Sequence, residues 1–387
     1  MRLNPGPVQQ SDSPIGTAYA LLDRRAGRRP LLNLAQAAPQ YPPAPAVVEH
    51  VAAVARDPHG ADYGEISGLP HLREAVATDL NQAYDARITA ANVLVTAGCN
   101  QAFCLAVSAL AQAGDEVILA LPYYFNHDMW LRMTGITATY LEPGPGFVPS
   151  ACDAEALITA RTRAIVLVTP GNPSGVTLSP ATLAAFAEVA ERHDIALVLD
   201  ETYRTFRGTG EPAHRLFDGP RWERTVVSLH SFSKDLAIPG YRVGAVVASA
   251  GLNRQIAKLA DCVAICAPRI GQEAAWAGLT RAGRWRDERA AEVAARRQRF
   301  ETVMARRPGG FELLSSGGFF GWVRHPFPGR PTGDVARELV ETYDTLIIPG
   351  TAFLPDDRAM LRVSFANVTP GELDDVADRL GLAGVTP

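Results

Sequence analysis

The sequence predicts an α/β fold, a mostly parallel sheet of about seven strands covered by helices, with a smaller α+β domain built from the N- and C-terminal segments. Three observations predict it. Short apolar, β-branched runs recur along the first 250 residues, as strands buried on both faces require. Ala-rich stretches of helical character, such as NQAFCLAVSALAQAG and SPATLAAFAEVAERHD, lie between most of them, and this alternation builds parallel sheets. Beyond about residue 250 the texture changes to long charged helices and short strands.

In chain order, residues 1–45 read as an N-terminal arm that joins the small domain. Residues 46–275 read as the large domain, with strands at VLVT (93–96), EVILA (116–120), ITATY (136–140), AIVLV (164–168), ALVLD (196–200), TVVSL (225–229) and VGAVVA (243–248). Residues 276–387 read as the small domain, with a long helix at GRWRDERAAEVAARRQRFETVMARR (283–307) and strands at FELLS, FFGWVR and LRVSF.

Composition excludes several classes. The net charge is -4 with no block of like charges, so neither nucleic acid nor an anionic membrane is an expected partner. No apolar run approaches the ~18 residues of a membrane span, and the N-terminus is polar where a signal peptide is apolar; the expected location is the cytoplasm. The five cysteines form an odd set without a CxxC pair, which argues against a disulfide framework and a structural zinc site and for reduced thiols. HExxH, GxSxG, GxGxxG and GxxxxGK[ST] are all absent, and with them the usual metalloprotease, α/β-hydrolase, dinucleotide and P-loop readings. The histidines have no metal spacing, and no metal is expected.

Ligands of parallel α/β sheets bind beyond the carboxyl ends of the strands. Four predicted strands run into polar or Gly-rich turns: AGCNQA after VLVT, TPGNPSG after AIVLV, DETY at the end of ALVLD, and HSFSKD after TVVSL. Only two of the 37 basic residues are lysines, Lys234 and Lys258. Lys258 falls in a helical stretch and reads as solvated. Lys234, in SFSKD at a strand end, is placed to form a Schiff base with an aldehyde, and pyridoxal phosphate is the cofactor that most often uses one. That cofactor needs a carboxylate for its pyridine nitrogen, for which Asp200 is placed. Its phosphate needs a helix N-terminus and an arginine, offered by Gly98, Cys99 and Asn100 and by Arg242. Tyr203 and Asn172 offer donors for its ring oxygen, and Tyr124 an aromatic face. Taken singly, Asp200 also suits a helix N-cap, Asn172 a turn, Tyr124 a buried aromatic and Arg362 a surface ion pair.

The ordered set NPSG (172–175), DETY (200–203), SFSK (231–234), PGYRVG (239–244) and LRVSFA (361–366) resembles the class I and II aminotransferases, pyridoxal-phosphate enzymes of fold type I. The resemblance runs from NLAQAAPQYPP near the start to the last strand. It implies that Lys234 is the Schiff-base lysine and proton shuttle, Asp200 the pyridinium partner, and Tyr203 and Asn172 ligands of the ring oxygen. It places Ser231, Arg242 and the backbone of Cys99 and Asn100 on the phosphate, Tyr124 against the ring, and Arg362 on the substrate α-carboxylate. Tyr63, in YGEISGLPHLR, resembles the tyrosine that reaches the neighbouring subunit's phosphate, which implies a homodimer with shared sites. Arg269 falls in a segment that family members bring near the cofactor across the dimer.

Two departures stand out. Ala37 occupies a loop position beside the substrate carboxylate where the family commonly has glycine, and its added methyl is expected either to shift or to narrow the pocket. Cys99 and Asn100 lie where the family varies, so their amides rather than their side chains are the expected ligands. The resemblance implies transamination between an amino acid and a 2-oxo acid. A C-S lyase on the same scaffold is the alternative; a ligand-sensing regulator needs a DNA-binding extension, for which the segment before the fold is short. No second arginine is assignable to a side-chain carboxylate, so an aspartate specialist is not supported, while aromatic, kynurenine and glutamine-type donors stay open. Tyr41, Tyr123 and Phe353 are expected around the pocket.

Overall fold

The structure, a computed structural model, describes residues 1–208, 212–219 and 221–385. Its centre is a seven-stranded sheet made of β1 (Val93–Thr96), β2 (Glu116–Ala120), β3 (Thr137–Leu141), β4 (Thr162–Val168), β5 (Ala196–Asp200), β6 (Val226–Ser231) and β7 (Gly244–Val247). These are the seven runs expected from the sequence. Their spatial order is β1-β7-β6-β5-β4-β2-β3. All neighbours pair in parallel except β7, which is antiparallel to both β1 and β6.

Side chains alternate between the two faces of a strand, so each strand here feeds two apolar layers. In β5, Leu197 and Leu199 join one core cluster while Ala196 and Val198 join the other. Both faces are covered, which is why the strands are apolar throughout. The edge strand β3 (TATYL) is the exception, part-exposed over most of its length, where polar threonines are tolerated.

Helices α1 (Cys99–Leu110), α2 (Phe125–Thr134) and α3 (Pro180–Arg192) fall between strands. The start of α3 illustrates the local logic: the Ser179 side chain accepts from the Thr182 amide and Pro180 takes the first helical position, where its missing N–H costs nothing.

A second sheet of four antiparallel strands lies toward the C-terminus, in the order Ile348–Pro349, β10 (Met360–Ser364), β9 (Phe320–Arg324), β8 (Glu312–Gly317). The helix α4 (Gly283–Met304) buries only a narrow stripe, including Val293, Phe300 and Met304. Phe300 stacks on Phe365, with ring centroids 5.4 Å apart. The N-terminal arm enters this region: Leu32 and Asn33 pair in parallel with Thr345 and Leu346, and Leu32 and Leu34 join the cluster that contains Phe300, Phe320 and Phe365. Among the described residues no helix is long and apolar enough to cross a membrane.

Candidate active site

The carboxyl ends of the parallel strands converge on one cavity of about 270 Å³. β5 ends in Asp200, and Tyr203 follows in the next turn. β6 ends in Ser231, with Lys234 three residues on. β4 ends in Val168 and leads to Asn172, and the turn after β2 leads to Tyr124. The antiparallel strand β7 starts from this same edge, since Gly244 pairs with both Ser231 and Thr96. Its reversed direction therefore delivers Arg242 to the site.

All these side chains line the cavity, with Ala37, Cys99, Asn100 and Arg362. Gly98 lies just behind the wall. It adopts φ +85°, and a Cβ there would overlap the Arg242 guanidinium, so only glycine permits both the turn and the close approach. It caps α1, whose first-turn amides, including those of Cys99 and Asn100, have no partner within the helix.

Charge around the cavity is unbalanced. Lys234, Arg242 and Arg362 supply three cations, against one lining carboxylate, Asp200. Arg242 donates only to backbone carbonyls, to Pro239 O at 2.9 Å and Ala97 O at 3.4 Å. Buried Arg362 donates to Asn172 Oδ1 at 3.0 Å and to Ala35 O, while its Nε is buried without a partner. Burial lowers this guanidinium to about 10, so it remains a cation at neutral pH. Its plane lies over Phe320 and Phe353, 4.9 and 5.0 Å from the ring centroids, contacts that favour a desolvated cation.

The Lys234 amine donates to the Ala37 carbonyl. Burial, and then the positive charges of Arg362 and Arg242, bring it down from 10.5 to about 8. A neutral amine is the nucleophile and the base. Labelling of Lys234 by an amine-directed reagent in the apoprotein is therefore expected to rise with pH with a midpoint at about 8, as read by mass spectrometry of its peptide. A midpoint near the ordinary 10.5 would refute this electrostatic account.

Asp200 is buried. Burial pushes its carboxyl up, but hydrogen bonding and charge from His127 and the Thr202 bonds outweigh that and hold it below the usual range. His127 Nε2 stands 3.4 Å from Asp200 Oδ2, and its ring stacks on Phe103 with centroids 3.8 Å apart. The Cys99 Sγ lies 3.7 Å from Asp200 Oδ1, and burial with the carboxylate's charge pushes this thiol up. The thiol therefore stays protonated at neutral pH. Tyr124 caps α2 and donates to Asn100 Oδ1 at 3.4 Å. Tyr203 is buried against Phe319 and Phe320.

Some expectations are corrected. Tyr41, Tyr123 and Phe353 do not line the cavity. Tyr41 packs edge-on against Trp285, Tyr123 pairs with Tyr140, and Phe353 is fully buried beneath Arg362 and Phe125. Ile15, Gln36 and Phe125 take the wall instead. Sequence reading missed these three and His127; for His127 the available signal was its position three residues after Tyr124, at the start of a helix. Tyr63 lies outside the cavity and is 77% exposed, Arg269 opens the helix Arg269–Arg281 away from the cavity wall, and Lys258 is exposed, as expected.

At the carboxyl edge of the seven-stranded sheet a lysine, an aspartate and an arginine meet a helix N-terminus, and β10 of the four-stranded sheet adds Arg362; the sequence model of the family Aminotransferase class I and II matches residues 29–380, and the chain belongs to that family. Among its relatives, the aromatic aminotransferase ISS1 of Arabidopsis thaliana is 31% identical, covering 90% of this chain and 88% of that protein. The arginine–pyruvate transaminase AruH of Pseudomonas aeruginosa is 32% identical over 78% of this chain and 77% of its own. A mutant aspartate aminotransferase of Thermus thermophilus superposes with a TM-score of 0.90 at 26% identity, covering 99% of this chain and 100% of its own.

Proposed function

We propose that this chain exchanges an amino group between an L-amino acid and a 2-oxo acid by a two-step, ping-pong reaction with pyridoxal phosphate as cofactor. The carrying observation is the excess of cations over one carboxylate in a single cavity, which suits a phosphate and a substrate carboxylate together. The donor set fits the cofactor. Arg242, Ser231 and the Cys99 and Asn100 amides would hold its phosphate, Asp200 its pyridine nitrogen, Tyr203 and Asn172 its ring oxygen, and Tyr124 its ring face. When bound, the cofactor supplies an electron sink for charge that develops at the substrate α-carbon.

The chain's own residues do the rest. Lys234 anchors the cofactor and, once freed, its Nζ takes the α-proton and returns it from the same nitrogen. Arg362 grips each carboxylate with its planar fork, held in orientation by Asn172 and Ala35. Its buried, unpartnered Nε is a donor that an incoming carboxylate satisfies. Arg362→Lys retains the charge and loses the fork, so kcat/KM for the amino donor is expected to fall about 10²-fold, mainly through KM; steady-state kinetics that leave KM unchanged would contradict the assignment.

The relatives carry different activities in their names, so the donor must be argued from the wall. Ile15, Gln36, Ala37 and Phe125 are uncharged, and among the described residues no lining cation remains beyond the three already engaged. We propose a donor with an uncharged side chain. The division into an arm (1–45), a large domain (46–275) and a small domain (276–387) is supported by the pairing of Leu32 with Thr345. A homodimer is supported by the exposed large side chains Tyr63, Ile66, Val263 and Ile265. Their two segments are tied together by buried Gln272, which accepts from the Leu69 amide and donates to the Ala267 carbonyl. Five free cysteines favour a reducing, cytoplasmic setting.

The test is a visible absorption spectrum of protein loaded with pyridoxal phosphate, titrated with a panel of amino acids and then with 2-oxo acids. The expected band is lost with donors of uncharged side chain and returns with a 2-oxo acid. Absence of a band, or release of pyruvate and ammonia without exchange, would overturn the reading.

A further inference from the structure

Asp235 follows Lys234 in the chain but takes no part in the cavity wall. It is buried, and its Oδ2 accepts from Arg286 Nη2 at 3.0 Å. Arg286 Nη1 donates to Asp79 Oδ1 at 2.7 Å, and Asp79 Oδ2 accepts from Arg204. Arg204 in turn follows Tyr203. A neutral chain of two acids and two arginines therefore runs behind the cavity, from the turn that carries Lys234 to the turn that carries Tyr203.

Arg286 lies in the first turn of α4, and this helix also packs on the segment that carries Ala37. Its Trp285 packs on Tyr41 with centroids 5.6 Å apart, and Arg289 lies 5.4 Å from the Tyr41 ring. Tyr41 ends the segment in which Ala37 accepts from the Lys234 amine. Stability alone gives a weak account of the ion pairs. Asp235 Oδ1 and Arg286 Nε are buried without partners, and a buried pair left partly unsatisfied contributes little against apolar packing. What the chain does provide is fixed distance. Adjacent Cα atoms lie about 3.8 Å apart, so movement of the Asp235 carboxylate moves the lysine.

We propose that Arg286 is a positioning residue, which fixes Lys234 through Asp235 and Tyr203 through Asp79 and Arg204. The inference rests on Lys234 being the reacting amine and adds the device that holds it.

The test uses Asp235→Asn, Arg286→Met, their double variant and Arg286→Lys. With only two lysines in the chain, competitive acetylation of the apoprotein reads Lys234 against exposed Lys258 as an internal control. The Lys234 to Lys258 labelling ratio is expected to rise about threefold in each single variant and no further in the double. In the loaded enzyme, kcat is expected to fall about tenfold with KM for the amino donor unchanged, because neither side chain touches substrate. Arg286→Lys, which reaches one carboxylate, recovers part of the loss. Labelling ratios and kcat within twofold of wild type, or additive effects in the double variant, would overturn the proposal. If Arg286→Met does not fold, the isosteric Asp235→Asn decides alone. A wild-type protein that neither loads nor exchanges amino groups removes the function proposed above, whereas active wild type with unchanged variants removes only the positioning role.

Discussion

Lys234→Ala is expected to lose amino-group exchange by about 10⁴-fold or more, since on the function proposed it removes both the anchoring amine and the proton shuttle. No other group replaces it. The second lysine, Lys258, is exposed on the helix Ala250–Ala264 and donates to Gln255 at 2.8 Å. The arginines at the cavity stay protonated and cannot act as bases. The variant should nevertheless fold. Arg362 and Arg242 disfavour the Lys234 cation, so its removal relieves repulsion, and the apoprotein's thermal midpoint should be unchanged or raised. Turnover assays with saturating cofactor, paired with thermal unfolding, check both parts. Exchange retained above a hundredth of the wild-type rate in a folded variant would end the assignment of Lys234.

The large sheet was legible because its strands are buried on both faces, which writes an apolar run into each. Strand direction is not written that way, and nothing in VGAVVA distinguishes the antiparallel β7 from its parallel neighbours. The pairing of Leu32 and Asn33 with Thr345 and Leu346 was invisible for another reason: two-residue strands carry no period. Site residues could be read where strand ends fix them, as with Asp200, Ser231 and Lys234. Side chains on connecting loops could be read only inside a recognisable motif, as with Asn172, Tyr203 and Arg242. Tyr41, Tyr123 and Phe353 were expected at the pocket, but their rings found aromatic partners elsewhere, and Ile15 of the N-terminal arm came in instead. Chemistry supplied by distant residues was equally hidden. The contact of His127 with Asp200 and that of Arg286 with Asp79 join positions with no local pattern, and only the assembled sheet brings them together.

Asp200→Asn is expected to lower kcat about 10³-fold, the cost of taking the carboxylate from a buried charge pair. Asparagine keeps the shape and the carbonyl oxygen that accepts from the Thr202 amide, a bond that Asp200 makes at 3.0 Å. It loses the negative charge. Among the described residues this is the one carboxylate lining the cavity, so on the function proposed the variant would leave a protonated pyridine nitrogen with no partner. His127, at 3.4 Å, then faces an amide in place of an acid. The sign of the effect separates two roles. If Asp200 only capped the turn after β5, asparagine would serve nearly as well, and kcat would change little. If it holds a proton on the cofactor nitrogen, Asp200→Asn fails while Asp200→Glu, which keeps the charge on a longer arm, retains more activity. Single-turnover rates of the three proteins, with cofactor affinity measured separately, distinguish the cases; equal rates in wild type and Asp200→Asn would reduce Asp200 to a structural cap.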